Sequence, residues 1–201
     1  MKRTLALALV MAASLTACIM SQEKTVTPVA ASLVANEARD TAPLKLPLAN
    51  PHILVKKGER HLLLFDGERQ LRAYRIGLGS TPAGDKARQG DGRTPEGSFY
   101  VCVKNAASKF YLSLGLSYPS RAHAARGLRD GLINRAQHDE IVSALDHRLR
   151  PPWNTRLGGE IFIHGNGSSS DWTWGCMALD NEDMKELFEA IPKGTAVVIE
   201  P

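Results

Sequence analysis

The sequence predicts a mainly-β domain with peripheral helices, preceded by an export signal and a tether. Three observations support this architecture. Short apolar runs bounded by Gly and Asp-Gly turns recur from residue 51 onward. Only two segments of the same region have the spacing of amphipathic helices. Residues 51–201 are long enough to bury the core of one domain.

Residues 1–17 have the composition of a secretory signal peptide. A basic start, MKR, precedes an apolar run from Leu5 to Leu15 that is too short for a membrane span. The run ends in LTAC, which resembles the lipobox of bacterial lipoproteins. That resemblance implies cleavage before Cys18 and acylation of its sulfur, which would anchor the protein stably in a membrane. An ordinary signal peptide with an incidental cysteine is the alternative.

Residues 18–50 are predicted to be the lipidated cysteine and a flexible tether. They are rich in Ala, Thr, Ser, Val and Pro and show no sustained helical or strand period. Ile19 follows the cysteine, where an aspartate would favour retention in the inner membrane. By resemblance to lipoprotein sorting, we expect a lipid-anchored protein on the periplasmic face of the outer membrane of a Gram-negative bacterium.

Six segments of the domain are predicted to be β-strands. Asp66-Gly67 separates two of them, and because both residues tolerate a positive φ, a hairpin with a type I′ turn is expected there. The predicted strands are Ile53–Lys56, His61–Phe65, Leu71–Leu78 and the segments GSFYVCV, GEIFIH and TAVVIE.

Two segments are predicted to be helical. In the first, Ser120 is placed to cap a helix that ends at Gly131, and Asn134 with Gln137 resembles the capping box of a second helix. Asp180 is placed to cap the C-terminal helix. The apolar positions expected to pack are Ile141, Val142, Leu145 and Leu149 in the first segment and Met184, Leu187, Phe188 and Ile191 in the second.

Composition and charge exclude two classes of partner. The formal net charge is +4, and no Lys/Arg cluster alternates with aromatic residues as a nucleic-acid surface requires. The loop GSTPAGDKARQGDGRTPEGSF contains five glycines but lacks the GxxxxGK[ST] spacing of a phosphate-binding loop, and it precedes a strand. Neither nucleic acid nor nucleotide is expected to bind.

Two cysteines remain in the domain. Cys102 alternates with its neighbours in the strand-like run SFYVCVKN, so a buried small side chain is favoured there over a disulfide. Cys176 lies between Gly175 and Met177 in a polar loop and has no such setting. A thiol attacks a carbonyl carbon as the thiolate, so a catalytic cysteine needs a base or a positive field that lowers its pKa.

His164, at the end of the apolar strand EIFIH, is the candidate base. Gly165 follows it at the start of the loop, and Gly175 permits a sharp turn that aims the amides around Trp174 at a developing oxyanion. Asp171 or a backbone carbonyl is expected to orient the ring. A structural histidine is one alternative. A zinc site formed by this histidine, Asp171 and the cysteine is another, although CxxC and HxxxH spacings are missing.

From Ile53 to the C-terminus the chain resembles an L,D-transpeptidase catalytic domain of the YkuD type. The matching segments are GDKARQGDGRTPEGSFYV, LSYPS, GGEIFIHG and DWTWGCMALDNEDM, in the expected order. The fold of that family is a β-sandwich of mixed sheets, which agrees with the strand prediction. The resemblance therefore implies a catalytic domain over residues 51–201.

Carried over by position, the resemblance makes Cys176 the nucleophile and His164 the general base. Gly165, Asp171 and Trp172 are expected to bind substrate or to orient the imidazole. The amides of Gly175 and Cys176 are expected to hold the oxyanion.

The chain both follows and departs from the family pattern around the nucleophile. Thr173 and Gly175 match it, whereas Trp174 replaces a second histidine and Ala178 stands where the family has Arg or Asn. Members of the subtype with DWT before the Gly-Cys share these departures. The resemblance therefore places the chain in a branch of the family and leaves its donor substrate open.

The resemblance implies acyl transfer on peptidoglycan stem peptides through a thioester. An amine of a second stem or a lipoprotein side chain would accept the acyl group, whereas water would give carboxypeptidase, endopeptidase or amidase activity. No cofactor and no metal are required. The segment 120–150 is expected to form one wall of the cleft or a solvated cover. A wall-binding lipoprotein without turnover is the further alternative.

Overall fold

The structure is a computed structural model that describes residues 42–201. The predicted signal peptide, the lipidation of Cys18 and most of the tether lie outside the described residues. The strands are β1 (Pro51–Lys56), β2 (His61–Asp66), β3 (Arg69–Arg75), β4 (Gly97–Ser108), β5 (Tyr111–Leu116), β6 (Phe162–His164), β7 (Met177–Ala178) and β8 (Ala196–Glu200). The helices are α1 (Arg121–Arg129), α2 (Arg135–Asp146) and α3 (Asn181–Ala190). No helix within residues 42–201 is long and apolar enough to cross a membrane.

The strands form one mixed sheet in the order β3-β2-β1-β8-β4-β5-β6-β7. The pairs β1·β8 and β6·β7 are parallel, and the others are antiparallel. Strand β4 joins two halves, because Gly97–Tyr100 pairs with β8 whereas the rest pairs with β5 across two register irregularities. Such irregularities bend a strand and increase its twist. The predicted mainly-β fold with mixed sheets and peripheral helices is confirmed.

The segment after β3 brings the two edges of the sheet together. Gly77 forms an antiparallel bridge with Ala178 of β7, and Gly79 forms a parallel bridge with Thr173. Because β3 and β7 are the outer strands of the order, these bridges curl the sheet into a half-barrel. Buried side chains from all eight strands and α3 form the main hydrophobic core, which includes Met184 and Leu187 of α3.

Helices α1 and α2 pack around a smaller apolar cluster formed by Ala124, Ile133, Ile141 and Leu157. Ser120 is the N-cap of α1, and Asn134 and Gln137 form the capping box of α2, as predicted. Each such cap contributes about 1 kcal/mol.

A polar cluster fixes α1 to the loop before β4. The carboxylate of Asp85 accepts hydrogen bonds from His123 Nε2 at 3.0 Å and from Arg126 Nη2 at 2.8 Å. Burial raises the pKa of Asp85, but the hydrogen bonds from His123, the Glu96 amide and Arg126 outweigh it and hold the pKa well below its usual range. The carboxylate is therefore ionised at neutral pH.

The turn between β2 and β3 differs from the expected type I′. Asp66 pairs with Arg69, so the loop residues are Gly67 and Glu68. Of these two, Gly67 alone has a positive φ, 58°. A positive φ at the first loop position alone is the pattern of a type II′ turn, which also matches the twist of a hairpin.

Two further predictions need correction, and one strand was not predicted. Helix α2 ends at Asp146, before Leu149, and the Leu149 side chain is 61% exposed and does not pack on a helix face. Asp180 is the N-cap of α3, but its carboxylate accepts the amide of Ser168 and makes no cap hydrogen bond. Strand β5 was not predicted, because a serine and Gly115 interrupt its apolar pattern.

Candidate active site

The predicted base and nucleophile lie on neighbouring strands. His164 is the last residue of β6, and Cys176 immediately precedes β7; the register pairs Ile163 with Met177 and His164 with Ala178. Paired residues share a face of the sheet, and successive residues alternate between faces. Ile163 and Met177 are fully buried in the core. His164 and Cys176 therefore lie together on the opposite face.

A backbone carbonyl orients the imidazole of His164. Nδ1 lies 2.7 Å from the carbonyl oxygen of Gly165, and because a carbonyl only accepts, Nδ1 carries the proton and Nε2 keeps its lone pair. Nε2 has no hydrogen-bond partner among the described residues. Burial lowers the pKa of His164 below its usual 6.5, against the opposing effect of the Gly165 hydrogen bond. The ring is therefore a neutral base at neutral pH.

Two aromatic side chains cover this imidazole. Phe110, in the turn between β4 and β5, stacks on it at 4.8 Å between ring centroids, and Trp172 contacts it edge-on at 5.6 Å. Phe110 and Trp172 also contact each other at 5.8 Å. His164 is 2% exposed, although Phe110 and Trp172 are 43% and 38% exposed. Side chains at the protein surface therefore shield the base.

The thiol of Cys176 has polar backbone neighbours. The amide of Phe162 donates to Sγ at 3.4 Å, and Sγ–H donates to the carbonyl of Glu160 at 3.5 Å. Burial raises the pKa of this thiol to about 11. No hydrogen bond joins the sulfur to His164 in the described part of the chain. The lowered pKa that a catalytic thiol needs is therefore absent at rest, and a protonated thiol shares a face of the sheet with a neutral imidazole.

The turn before the nucleophile depends on Gly175. Its φ is 125°, and a Cβ there would lie 2.5 Å from the carbonyl oxygen of Arg93. The hydroxyl of Thr173 accepts the Gly175 amide at 3.1 Å and donates to the carbonyl of Cys176 at 2.8 Å. The Gly175 amide is thus engaged inside the loop, which corrects its expected role as an oxyanion donor. The amides of Trp174 and Cys176 have no acceptor within the described residues.

Asp171 binds an arginine and does not contact the imidazole. Its carboxylate accepts from Arg60 Nη2 at 2.7 Å and from the amide of Leu78 at 2.9 Å. Burial raises the pKa of Asp171, but the hydrogen bonds of Arg60 and Leu78 outweigh it and lower the pKa. The Gly165 carbonyl therefore orients His164, and Asp171 fixes the loop. Among the residues described, no three His, Cys, Asp or Glu side chains form a metal-binding group.

The two tryptophans of the loop are placed differently. Trp172 donates from Nε1 to the carbonyl of Gly167 at 3.1 Å, and this bond holds its ring against His164. Trp174, where the family has a second histidine, is 87% exposed beside the nucleophile. Ala178, in the place of the family's Arg or Asn, is fully buried next to His164.

The loop before β4 contacts the backbone of Cys176. The Thr94 hydroxyl accepts the amide of Gly79 at 3.1 Å and donates to the carbonyl of Cys176 at 3.5 Å. Sequence reasoning missed Thr94 and Arg93, although both lie in the matched segment GDGRTPEGSF, which was the available signal. It also missed Phe110 and Arg60, for which the sequence offers no local signal.

Cys102 is the other thiol among the described residues, and it is also free. It is half-buried on β4, and its thiol donates to the carbonyl of Gly115 at 3.4 Å. Burial raises the pKa of Cys102 to about 11, as for Cys176. Cys102 thus offers an internal control with the same pKa but without an imidazole partner.

Fold and site together define a class of protein: a curled mixed β-sheet that presents a thiol and a neutral imidazole at adjacent strand ends. The family model described as the L,D-transpeptidase catalytic domain (YkuD) matches residues 50–199. The chain belongs to this family. A comparison with curated proteins gives no match.

Solved structures share the fold. Pgp2, the helical cell shape determining protein of Campylobacter jejuni, is 22% identical with a TM-score of 0.54, over 75% of this chain and 47% of that chain. Bd1075 of Bdellovibrio bacteriovorus is 21% identical with a TM-score of 0.49, over 76% of this chain and 48% of that chain. The L,D-transpeptidase of Xylanimonas cellulosilytica is 15% identical with a TM-score of 0.45, over 79% and 64%. The chain thus spans about half the length of the Pgp2 chain, and the likeness to Pgp2 shows the fold alone.

Proposed function

We propose that this protein is a cysteine acyltransferase that acts on peptidoglycan stem peptides. One observation carries the proposal: Cys176, immediately before β7, and His164 of β6 lie on the same face of the sheet, and Nε2 of His164 has no hydrogen-bond partner within residues 42–201. Family membership indicates the substrate class, because the matched domain is that of the L,D-transpeptidases. Resting hydrogen bonds between nucleophile and base are often loose without substrate, so their absence here is compatible with catalysis.

The first half of the reaction forms a thioester. Cys176 Sγ attacks the carbonyl carbon between an L-centre and a D-residue while its proton moves to His164 Nε2. The free amides of Trp174 and Cys176 are the candidate donors to the negative oxygen of the tetrahedral intermediate. The imidazolium then gives its proton to the leaving amine, the C–N bond breaks, and D-alanine departs. The resting protonation states, a protonated thiol and a neutral imidazole, suit this order of proton transfers, because the thiol keeps its proton until it attacks.

The second half releases the acyl group. An amine of a second stem, deprotonated by the neutral His164, attacks the thioester and forms an amide, and the sulfur takes the proton back. Water in place of the amine would give a hydrolase, and a lipoprotein side chain is a further acceptor. We favour the transpeptidase as the default reaction of the family.

We further propose that the protein acts from a membrane anchor at Cys18, on the periplasmic face of the outer membrane. The lipobox-like LTAC and the following Ile19 support this location. Because wall remodelling sets cell form, and the fold neighbour Pgp2 is described as a cell shape determinant, we expect loss of the protein to alter cell shape.

Acylation by a carbapenem tests the proposal. Mass spectrometry of the intact protein should show one adduct of the whole carbapenem mass, located on Cys176. The adduct should disappear in Cys176→Ala and persist in Cys102→Ala, the matched control, because Cys102 has a thiol of similar pKa without an imidazole. Incubation with purified stem tetrapeptides would then show which acceptor takes the acyl group. Cross-linked dimers indicate an amine acceptor, and tripeptides indicate water.

The wall-binding lipoprotein without turnover is the second candidate. The raised pKa of Cys176 and the missing hydrogen bond to His164 favour it. Two results together would favour this alternative over the acyltransferase. The folded protein would bind peptidoglycan, and Cys176 would stay unmodified by a carbapenem under conditions that acylate a known enzyme of the family.

A further inference from the structure

We propose that Phe110 is a positioning residue for the base His164. Phe110 belongs to the turn between β4 and β5, outside the segments that carry the family resemblance. The inference rests on the proposed function, because it assigns a partner to the proposed general base. It also makes a hairpin tip part of the catalytic geometry.

The backbone of Phe110 supports the carbonyl that fixes the imidazole. The amide of Gly165 donates to the Phe110 carbonyl at 3.0 Å, and the Gly165 carbonyl accepts from His164 Nδ1 at 2.7 Å. A Cβ at Gly165 would lie 3.1 Å from the Phe110 carbonyl oxygen, so the two backbones approach closely. The Phe110 amide in turn donates to the hydroxyl of Ser108 at 3.1 Å, which ties the tip to β4.

The ring of Phe110 restrains the imidazole from one side. The two rings lie 4.8 Å apart with an interplanar angle of 28°, which is a stacked arrangement. Trp172 contacts the imidazole edge-on at 67° and also contacts Phe110 at 5.8 Å, so the three rings pack against one another. Rotation of the imidazole would disrupt this packing and break the bond of Nδ1 to the Gly165 carbonyl. The packing therefore restrains the orientation in which Nε2 is held.

The covering rings also keep water from the base. His164 is 2% exposed, whereas Phe110 is 43% exposed, so part of the burial of the base comes from a side chain at the surface. Burial is the main cause of the lowered pKa of His164. Removal of the Phe110 ring should therefore raise the pKa of His164 toward 6.5 and free the imidazole to rotate. If Phe110 were only a structural residue of the hairpin, its removal would change neither the pKa nor the orientation of the imidazole.

Three variants of the full-length domain test the inference. Phe110→Ala removes the ring, Phe110→Trp keeps an aromatic plane, and Tyr111→Ala is the matched control. Tyr111 is the next residue of the same tip, is 39% exposed, and makes no ring contact with His164 within the described residues. Each variant is assayed for the pH dependence of Cys176 acylation by a carbapenem and, by NMR, for the titration midpoint of His164.

Phe110→Ala should lower the plateau acylation rate about tenfold or more, as expected for a misplaced base. In this variant the titration midpoint of His164 should rise toward 6.5, both in the pH dependence of acylation and by NMR. Phe110→Trp should restore the rate and the midpoint, and Tyr111→Ala should match wild type. If Phe110→Ala unfolds, Phe110→Leu replaces it. Leucine keeps apolar bulk without a stacking plane, so the plateau rate should fall while the His164 midpoint stays closer to that of wild type.

Two results would separate failure of the inference from failure of the proposed function. An acylated Phe110→Ala protein with the wild-type plateau and midpoint would overturn the positioning role and leave the acyltransferase intact. An inert Cys176 in wild type would end the proposed function instead. The NMR midpoint then still decides whether Phe110 controls the imidazole, because that measurement needs no turnover.

Discussion

The molecule contains two histidines that look alike by burial and differ in bonding. His123 of α1 and His164 of β6 are each 2% exposed, and both contact aromatic rings. His123 uses both ring nitrogens: Nε2 donates to Asp85 at 3.0 Å, and Nδ1 lies 2.6 Å from the hydroxyl of Ser120. Within residues 42–201, His164 bonds through Nδ1 alone, toward the Gly165 carbonyl.

This difference separates a structural imidazole from one that is available for chemistry. A buried ring with both nitrogens bonded holds elements together, here α1 and the loop before β4. A buried ring with one nitrogen bonded and the other unpartnered is oriented and still able to take a proton. Burial and aromatic contacts alone do not distinguish the structural histidine from the candidate base.

The largest expected effect is on His164. His164→Ala should lower the rate of carbapenem acylation at Cys176 by about 10²–10⁴-fold, because the proton of the thiol loses its acceptor. Stopped-flow or time-resolved mass spectrometry measures the rate, and circular dichroism confirms folding. A folded variant that acylates as fast as wild type would remove His164 from the mechanism.

The matching change at His123 should act on stability and not on rate. His123→Ala removes one hydrogen bond from the Asp85 carboxylate and one from the Ser120 hydroxyl, and this loss should cost about 1–3 kcal/mol of unfolding free energy. Urea unfolding measures this cost. The folded fraction should acylate at nearly the wild-type rate. A stable but slow His123→Ala protein would show that the comparison between the two rings is wrong.

A smaller effect is the pH dependence of acylation. The reactive form has a neutral His164, and burial lowers the pKa of that ring below 6.5. Protonation therefore stops the reaction in acid, and the rate should rise with pH, with a midpoint below 6.5, and stay level through neutral pH. If ionisation of the thiol alone governed the rate, it would continue to rise toward the Cys176 pKa of about 11. The rate measured from pH 5 to 9 distinguishes these two profiles.

Much of the site could be predicted from local patterns. The apolar run EIFIH predicts a strand that ends at His164, and the glycine before Cys176 predicts a turn. The structure has both features, β6 and the positive φ of Gly175. The caps at Ser120 and Asn134 were predictable for the same reason, because each depends on residues within one helical turn.

The remaining contacts join residues that are far apart in the chain. Arg60 and Asp171 are separated by 111 positions, and no local pattern pairs them. Phe110 reaches His164 only because β5 lies between β4 and β6, and that strand was missed. The raised pKa of Cys176 was not predictable for a related reason, because burial decides it and proximity in sequence to His164 does not.

The protonation state of His164 in the resting protein tests the central claim most directly. Nitrogen-15 chemical shifts of the two ring nitrogens at pH 7 should show a neutral imidazole that carries its proton on Nδ1 and leaves Nε2 free to accept one. A proton on Nε2, or an imidazolium at that pH, would contradict a mechanism in which His164 takes the proton of Cys176.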